Sequence, residues 1–205
     1  MSERLSFDHF FEEGDDVTKP VLLLLHGTGG RPADLRGLAA ELSPGSAVLA
    51  PAGQVSENGM PRWFRRLGEG VFDYEDVVKR AGDLADFILD ARAGYKLTGR
   101  RMVAVGFSNG ANIAAAVALL RPDALTEAAA FAAMLPVPDP PAVDLSGTRV
   151  LLSNGTQDPM APLPSTEQLV ARLRERSADV TVHRHPGGHQ ITPEAVSQAR
   201  AWLSA

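Results

Sequence analysis

The feature that most constrains the fold of this chain is an alternation of short apolar runs of strand length with longer segments of helical periodicity. Five consecutive apolar residues, Val21 to Leu25, end at His26-Gly27; a helix-like stretch from Pro32 to Leu42 and a short strand from Ala47 to Ala50 follow. Between Tyr74 and Gly94, apolar Val77, Ala81, Leu84, Ile88 and Ala91 recur at the spacing of one buried helix face. The strand at Arg101 to Val105 then leads into good helix formers from Ala111 to Leu120. Further strands are expected at Ala128 to Ala132, Arg149 to Leu152 and Val180 to Arg184, with helices at Thr166 to Arg176 and Pro193 to Leu203. A strand or hairpin around Leu5 to Phe11 precedes the series. Parallel strands need long crossovers, so this order predicts an α/β fold with a mostly parallel central sheet and helices on both faces. Ligands of such sheets bind beyond the carboxyl ends of the strands.

A chain of 205 residues, 44% of them hydrophobic, is expected to form one domain over residues 1–205 with a full core. The net charge of -5 argues against nucleic acid as a partner. The absence of cysteine excludes disulfides, thiolate metal sites and a cysteine nucleophile. Met1 to Glu13 lacks the pattern of a secretory signal, and the apolar runs are too short to span a bilayer, so the expectation is a cytoplasmic protein without membrane insertion. Leu135 to Pro141 is proline-rich and reads as a stiff loop rather than a linker. A homodimer through a sheet edge or an apolar surface is compatible with the sequence.

Chemistry enters at Gly106-Phe107-Ser108-Asn109-Gly110, a G-x-S-x-G run between a strand and a helix. A serine held out of the sheet on a sharp strand-to-helix turn needs small residues on either side, and Gly106 and Gly110 meet that need. A serine nucleophile also needs a base and a carboxylate to orient it. Asp158 follows the strand at Val150 to Leu152, and His189 follows the strand at Val180 to Arg184, so both fall on strand-end loops. The order Ser, Asp, His is that of α/β-hydrolases and of no other common serine hydrolase fold. Asp144 and Asp179 are rival acids, but Asp179 precedes its strand and belongs to the opposite edge. Backbone N–H groups of Asn109 and of Thr28, in the turn His26-Gly27-Thr28-Gly29-Gly30, are candidates for an oxyanion hole. Only the amide of Thr28 is required, so Thr28→Ala is expected to cost little, whereas changes at Gly27 or Gly29 distort the hole.

These pieces, together with Arg62-Trp63-Phe64-Arg65-Arg66, Gly155-Thr156-Gln157-Asp158-Pro159 and Gly188-His189-Gln190, span most of the chain. The sequence resembles the small bacterial carboxylesterases of the phospholipase/carboxylesterase family, most nearly the MhqD-like α/β-hydrolases. The resemblance implies an α/β-hydrolase fold and a serine-dependent hydrolase of esters or thioesters, with Ser108, Asp158 and His189 as triad; no cofactor is expected. Only Arg121 to Gln157 separate the elbow helix from Asp158, which leaves no room for a large cap domain. The site is therefore expected to be an open groove walled by Gln54 to Phe72 and Phe131 to Pro141, suited to small or flexible acyl groups.

Other readings compete at several positions. His183, His185 and His189 form an H-x-H-x-x-x-H pattern, but no acid nearby in sequence completes a metal site and no H-E-x-x-H is present. No metal is therefore expected; His183, His185 and His9 read as surface residues, and His26 as structural, shaping the turn beneath the oxyanion hole. The glycine turn at Gly27 to Gly30 lacks the Gly-Lys-Ser/Thr of a P-loop. The segment Arg62 to Arg66 has two readings: a loop anchored by two aromatics that exposes three cations, or a pocket wall with arginine available for an acidic substrate. On the second, Trp63, Phe64 and Arg65 are candidate substrate contacts. The alternative for the whole chain is a catalytically silent α/β-hydrolase-fold binder of a small molecule.

Overall fold

The alternating segments build a seven-stranded sheet in the computed structural model, which describes residues 5–68 and 70–205. Its strands are β1 (His9–Glu12), β2 (Val21–Leu25), β3 (Val48–Pro51), β8 (Met102–Phe107), β9 (Glu127–Phe131), β10 (Arg149–Gly155) and β11 (Asp179–His185), arranged β1-β3-β2-β8-β9-β10-β11. Only β1 runs antiparallel, paired with β3 from His9 opposite Pro51 to Glu12 opposite Val48. All other neighbours in this sheet are parallel. The sheet order reverses direction around β2, which places the ends of β2 and β8 side by side at a topological switch point.

All five residues of β2 are fully buried because the sheet is covered on both sides. Val21, Leu23 and Leu25 pack with apolar residues of α2 (Tyr74–Gly94), α3 (Asn109–Leu120) and α4 (Leu163–Arg174). Leu22 and Leu24 face the other way, toward α1 (Arg36–Leu42) and α5 (Pro193–Ser204). The period-two alternation of a strand thus divides one apolar run between two cores. Helix α3 is buried from Asn109 to Leu119, and its run of alanines lets it lie between the sheet and α2. The expected α/β-hydrolase fold is present, with helices on both faces and, among the described residues, no large separate cap.

Several expected boundaries shift for identifiable reasons. Pro32–Leu35 is a 3-10 turn rather than the first turn of a single helix, with Asp34 Oδ2 accepting from the Arg31 N–H at 2.8 Å. Strands β10 and β11 run three residues and one residue past their expected ends, into polar sequence. The polar side chains there find partners, as when Asn154 Nδ2 donates to the Ala133 carbonyl at 2.9 Å and Ser153 Oγ pairs with His183 Nδ1 at 2.9 Å. His9 is not free on the surface: its Nε2 meets the Tyr95 hydroxyl at 2.7 Å and its ring is half-buried in an edge contact with Phe87. The stretch from Gln54 to Phe72 contains two short antiparallel ribbons, β4 (Val55–Glu57) with β5 (Met60–Arg62) and β6 (Arg66–Gly68) with β7 (Val71–Phe72). Among the described residues no helix is long and apolar enough to cross a membrane.

Candidate active site

Ser108 sits between β8 and α3 with φ 54° and ψ −118°, a conformation that costs a non-glycine residue of order 1–3 kcal/mol. The turn closes only because its flanks carry no side chains. A Cβ on Gly106 would lie 2.5 Å from the Gly110 carbonyl oxygen, and one on Gly110 would overlap the carbonyls of Leu25 and His26. Gly110→Ala is therefore expected to destabilise the fold by about 3 kcal/mol or more in urea unfolding, since backbone rather than a movable side chain opposes it. The Ser108 N–H is held by the Phe131 carbonyl of β9 at 2.9 Å.

The three residues picked out from separate loops meet above the strand ends. His189 Nε2 lies 2.8 Å from Ser108 Oγ, and its Nδ1 lies 2.7 Å from Asp158 Oδ2. The second oxygen of Asp158 accepts from the N–H groups of Met160 at 2.8 Å and Ala161 at 3.0 Å. The carboxylate is buried, so both its oxygens are committed and its orientation is set by backbone. Gly155 brings the two loops together: a Cβ there would strike the Gly187 and Gly188 carbonyls at 2.3 Å. The rival acids lie elsewhere, Asp144 capping a turn at Ser146 and Asp179 opening β11 at the far edge.

Thr28 and Asn109 flank Ser108 on the wall of a groove of about 350 Å³. Neither backbone N–H has a protein acceptor among the described residues, and Asn109 opens α3, where free N–H groups and the helix dipole favour negative charge. Both turns are tied to one residue. The Trp63 N–H donates to Asn109 Oδ1 at 2.8 Å, and Trp63 Nε1 donates to the His26 carbonyl at 2.8 Å. The hydroxyl of Thr28 is also engaged, accepting from Arg62 Nη1 at 2.8 Å. Thr28→Ala therefore strips a partner from a buried guanidinium, a cost that the sequence expectation did not include.

The segment from Arg62 to Arg66 divides its side chains between both readings, with the residues redistributed. Trp63 and Phe64 are core residues, 2% and 0% exposed, and are absent from the residues lining the groove. Arg65 points away from the groove and pairs with Asp73 at 2.9 Å. The groove is lined instead by Arg62 and Arg66, together with Phe72, Met134, Pro159, Met160 and Pro162. Trp63, Phe64 and Arg65, the expected substrate contacts, do not line the groove; Arg62 and Arg66 do, because the two aromatics are buried and anchor the segment. Sequence carried no sign of this, since no strand or helix period runs through the segment.

The remaining histidines are held internally. His26 is buried, with Nδ1 2.7 Å from the Gly27 carbonyl and Nε2 accepting from the Gly53 N–H at 3.0 Å. Those partners require a neutral ring protonated at Nδ1, and burial pushes its pKa below the ordinary value of 6.5. Unfolded His26 takes up a proton below that value while the folded ring resists it, so its stabilising contribution is complete above about pH 6.5 and declines as pH falls below it. His26→Gln is expected to reduce the loss of stability on acidification by up to about 1.4 kcal/mol per pH unit, measured by urea unfolding between pH 8 and 5. His185 is buried rather than on the surface, and His183 is half-buried against Ser153. Among the described residues no group of three His, Asp or Glu is placed to hold a metal ion.

Comparison with known proteins agrees with this architecture. Residues 8–205 match the family model for phospholipase/carboxylesterase. The Bacillus subtilis (strain 168) protein MhqD is 41% identical over 194 residues, covering 95% of this chain and 96% of its own. The crystal structure of the Bacillus cereus carboxylesterase is 42% identical with a TM-score of 0.93, covering 97% of this chain and 94% of that one. A carboxylesterase structure from Mesorhizobium loti is 28% identical with a TM-score of 0.92 over 99% and 97% of the two chains. With an intact strand-to-helix serine turn in a matching fold, the chain belongs to the phospholipase/carboxylesterase family of α/β-hydrolases, related to MhqD-like proteins.

Proposed function

We propose that this protein is a serine hydrolase that cleaves carboxylic esters or thioesters through an acyl-enzyme on Ser108. The observation that carries the reading is the unbroken chain from Ser108 Oγ to His189 at 2.8 Å and from His189 to Asp158 at 2.7 Å, on a serine held out of the sheet. His189 takes the Ser108 proton as Oγ attacks the carbonyl carbon, and Asp158 holds the ring with its other proton on Nδ1. Negative charge developing on the carbonyl oxygen is assigned to the N–H groups of Thr28 and Asn109, both without a protein acceptor among the described residues. His189 then gives its proton to the departing alcohol or thiol, and a water activated by the same ring releases the acid.

A second hollow of about 300 Å³, bordered by Leu35 and Phe107, meets the groove at Ser108, Thr28, Met160 and His189. The reacting carbon thus has space on both sides, one for the acyl part and one for the leaving group. Both spaces are small and open, which favours short or flexible groups. The test is a fluorophosphonate probe with a short p-nitrophenyl ester. Turnover that the probe abolishes, with the adduct mapped to Ser108, supports the reading; folded protein that neither reacts nor turns over the ester is instead a binder.

A further inference from the structure

The two hollows that meet at Ser108 differ in charge. Among the described residues, those lining the groove include Arg62 and Arg66 and no carboxylate, while the opposite hollow carries Asp34. Arg62 is 4% exposed and uses Nε on the Phe64 carbonyl at 3.2 Å and Nη1 on Thr28 Oγ1 at 2.8 Å. Arg66 donates from Nε to both oxygens of Glu57, at 2.9 and 3.1 Å. The same carboxylate is the ion-pair partner of Arg62, at 3.3 Å. Among the described residues two guanidinium groups thus share a single carboxylate, and the described wall carries one positive charge in excess. Arg62 Nη2 and the terminal nitrogens of Arg66 have no protein acceptor among the described residues, and none of them is sealed from solvent. Arg65, by contrast, is compensated by Asp73 and Asp76 outside the groove.

A largely desolvated cation with incomplete pairing is costly until an anion joins it, and a guanidinium fork suits the two oxygens of a carboxylate. Phe72, Met134 and Pro162 supply an apolar surface in the same groove. Resting on the serine hydrolase reading above, we infer that the ester this protein cleaves carries a carboxylate, bound by Arg62 and Arg66 beside Ser108 and joined to the ester by a short apolar spacer. One excess charge on the wall matches a monoanion. The carboxylate belongs to either the acyl or the alcohol part, since both hollows open at Ser108.

Two substrate pairs separate these sources. Mono-p-nitrophenyl adipate against p-nitrophenyl hexanoate places the charge in the acyl part; 4-acetoxyphenylacetate against its primary amide places it in the alcohol part. In at least one pair the charged member should be favoured by about tenfold or more in kcat/KM, mainly through KM, as charge-assisted hydrogen bonds allow. Arg66→Gln should cut that ratio to about threefold or less. Because the ratio is taken within one preparation, partial unfolding of a variant does not imitate the effect. A ratio near one in both pairs, or a preference that neither Arg66→Gln nor Arg62→Gln alters, overturns the inference. Should no ester be turned over, the hydrolase reading fails by itself, and calorimetric binding of adipic acid monoamide against hexanamide decides the subsite. Tighter binding of the monoamide that Arg66→Gln weakens supports it, and equal binding overturns it.

Discussion

Ser108→Ala is expected to lower kcat for a short p-nitrophenyl ester by about 10⁴- to 10⁶-fold with little change in the unfolding midpoint. The change removes only Oγ, whose recorded contact is the 2.8 Å hydrogen bond to His189, and alanine keeps the Cβ and therefore the same backbone cost at φ 54°. Folding is consequently insulated from the substitution. The loss corresponds to about 5 to 8 kcal/mol of transition-state stabilisation. Residual turnover would come from the amides of Thr28 and Asn109 acting on attack by water. A kcat within tenfold of wild type in folded Ser108→Ala would remove the nucleophile from its role, whatever the geometry suggests.

Asp158→Asn should cost about 10⁴-fold in kcat, for a reason specific to the surroundings of this carboxylate. The backbone N–H groups of Met160 and Ala161 both point at one side-chain oxygen, at 2.8 and 3.0 Å. An asparagine must present its own oxygen to them, which turns its NH₂ toward His189 Nδ1. That nitrogen must then accept, and the ring proton moves to Nε2, where it faces Ser108 Oγ and cannot receive the serine proton. The ring stays in place and the tautomer is wrong. Measured kcat should fall while fluorophosphonate labelling slows in proportion and stability changes little. Normal labelling in this variant would show that Asp158 does not govern the His189 tautomer.

Legibility in the sequence differed sharply between kinds of feature. Strands β2 and β8 and helices α2 and α5 stand close to where periodicity puts them, because their apolar spacing reflects burial on one face or on both. The ends of β10 and β11 were less visible, since Ser153, Asn154 and His185 are polar and their burial depends on partners distant in sequence. His185 and His9 were misplaced on the surface for the same reason. The convergence of Ser108, Asp158 and His189 was legible because each follows a strand closely and strand ends of a parallel sheet converge. The wall of the groove was not. Arg62 to Arg66 follow no period, and the burial of Trp63 and Phe64 decides which arginines turn inward.

By itself, then, the sequence determined the parallel α/β architecture, the glycine-flanked serine turn and the order of the three residues that meet above it. These depend on local pattern: apolar period, the space a glycine leaves, and position after a strand. Only the tertiary structure decided that Trp63 ties the Asn109 and His26 turns together, that Arg62 reaches Thr28, and that Arg62 and Arg66 line the groove in place of Trp63, Phe64 and Arg65. Each of those outcomes is a competition for burial and hydrogen bonds among residues tens of positions apart, and it is settled only when the sheet brings them into contact.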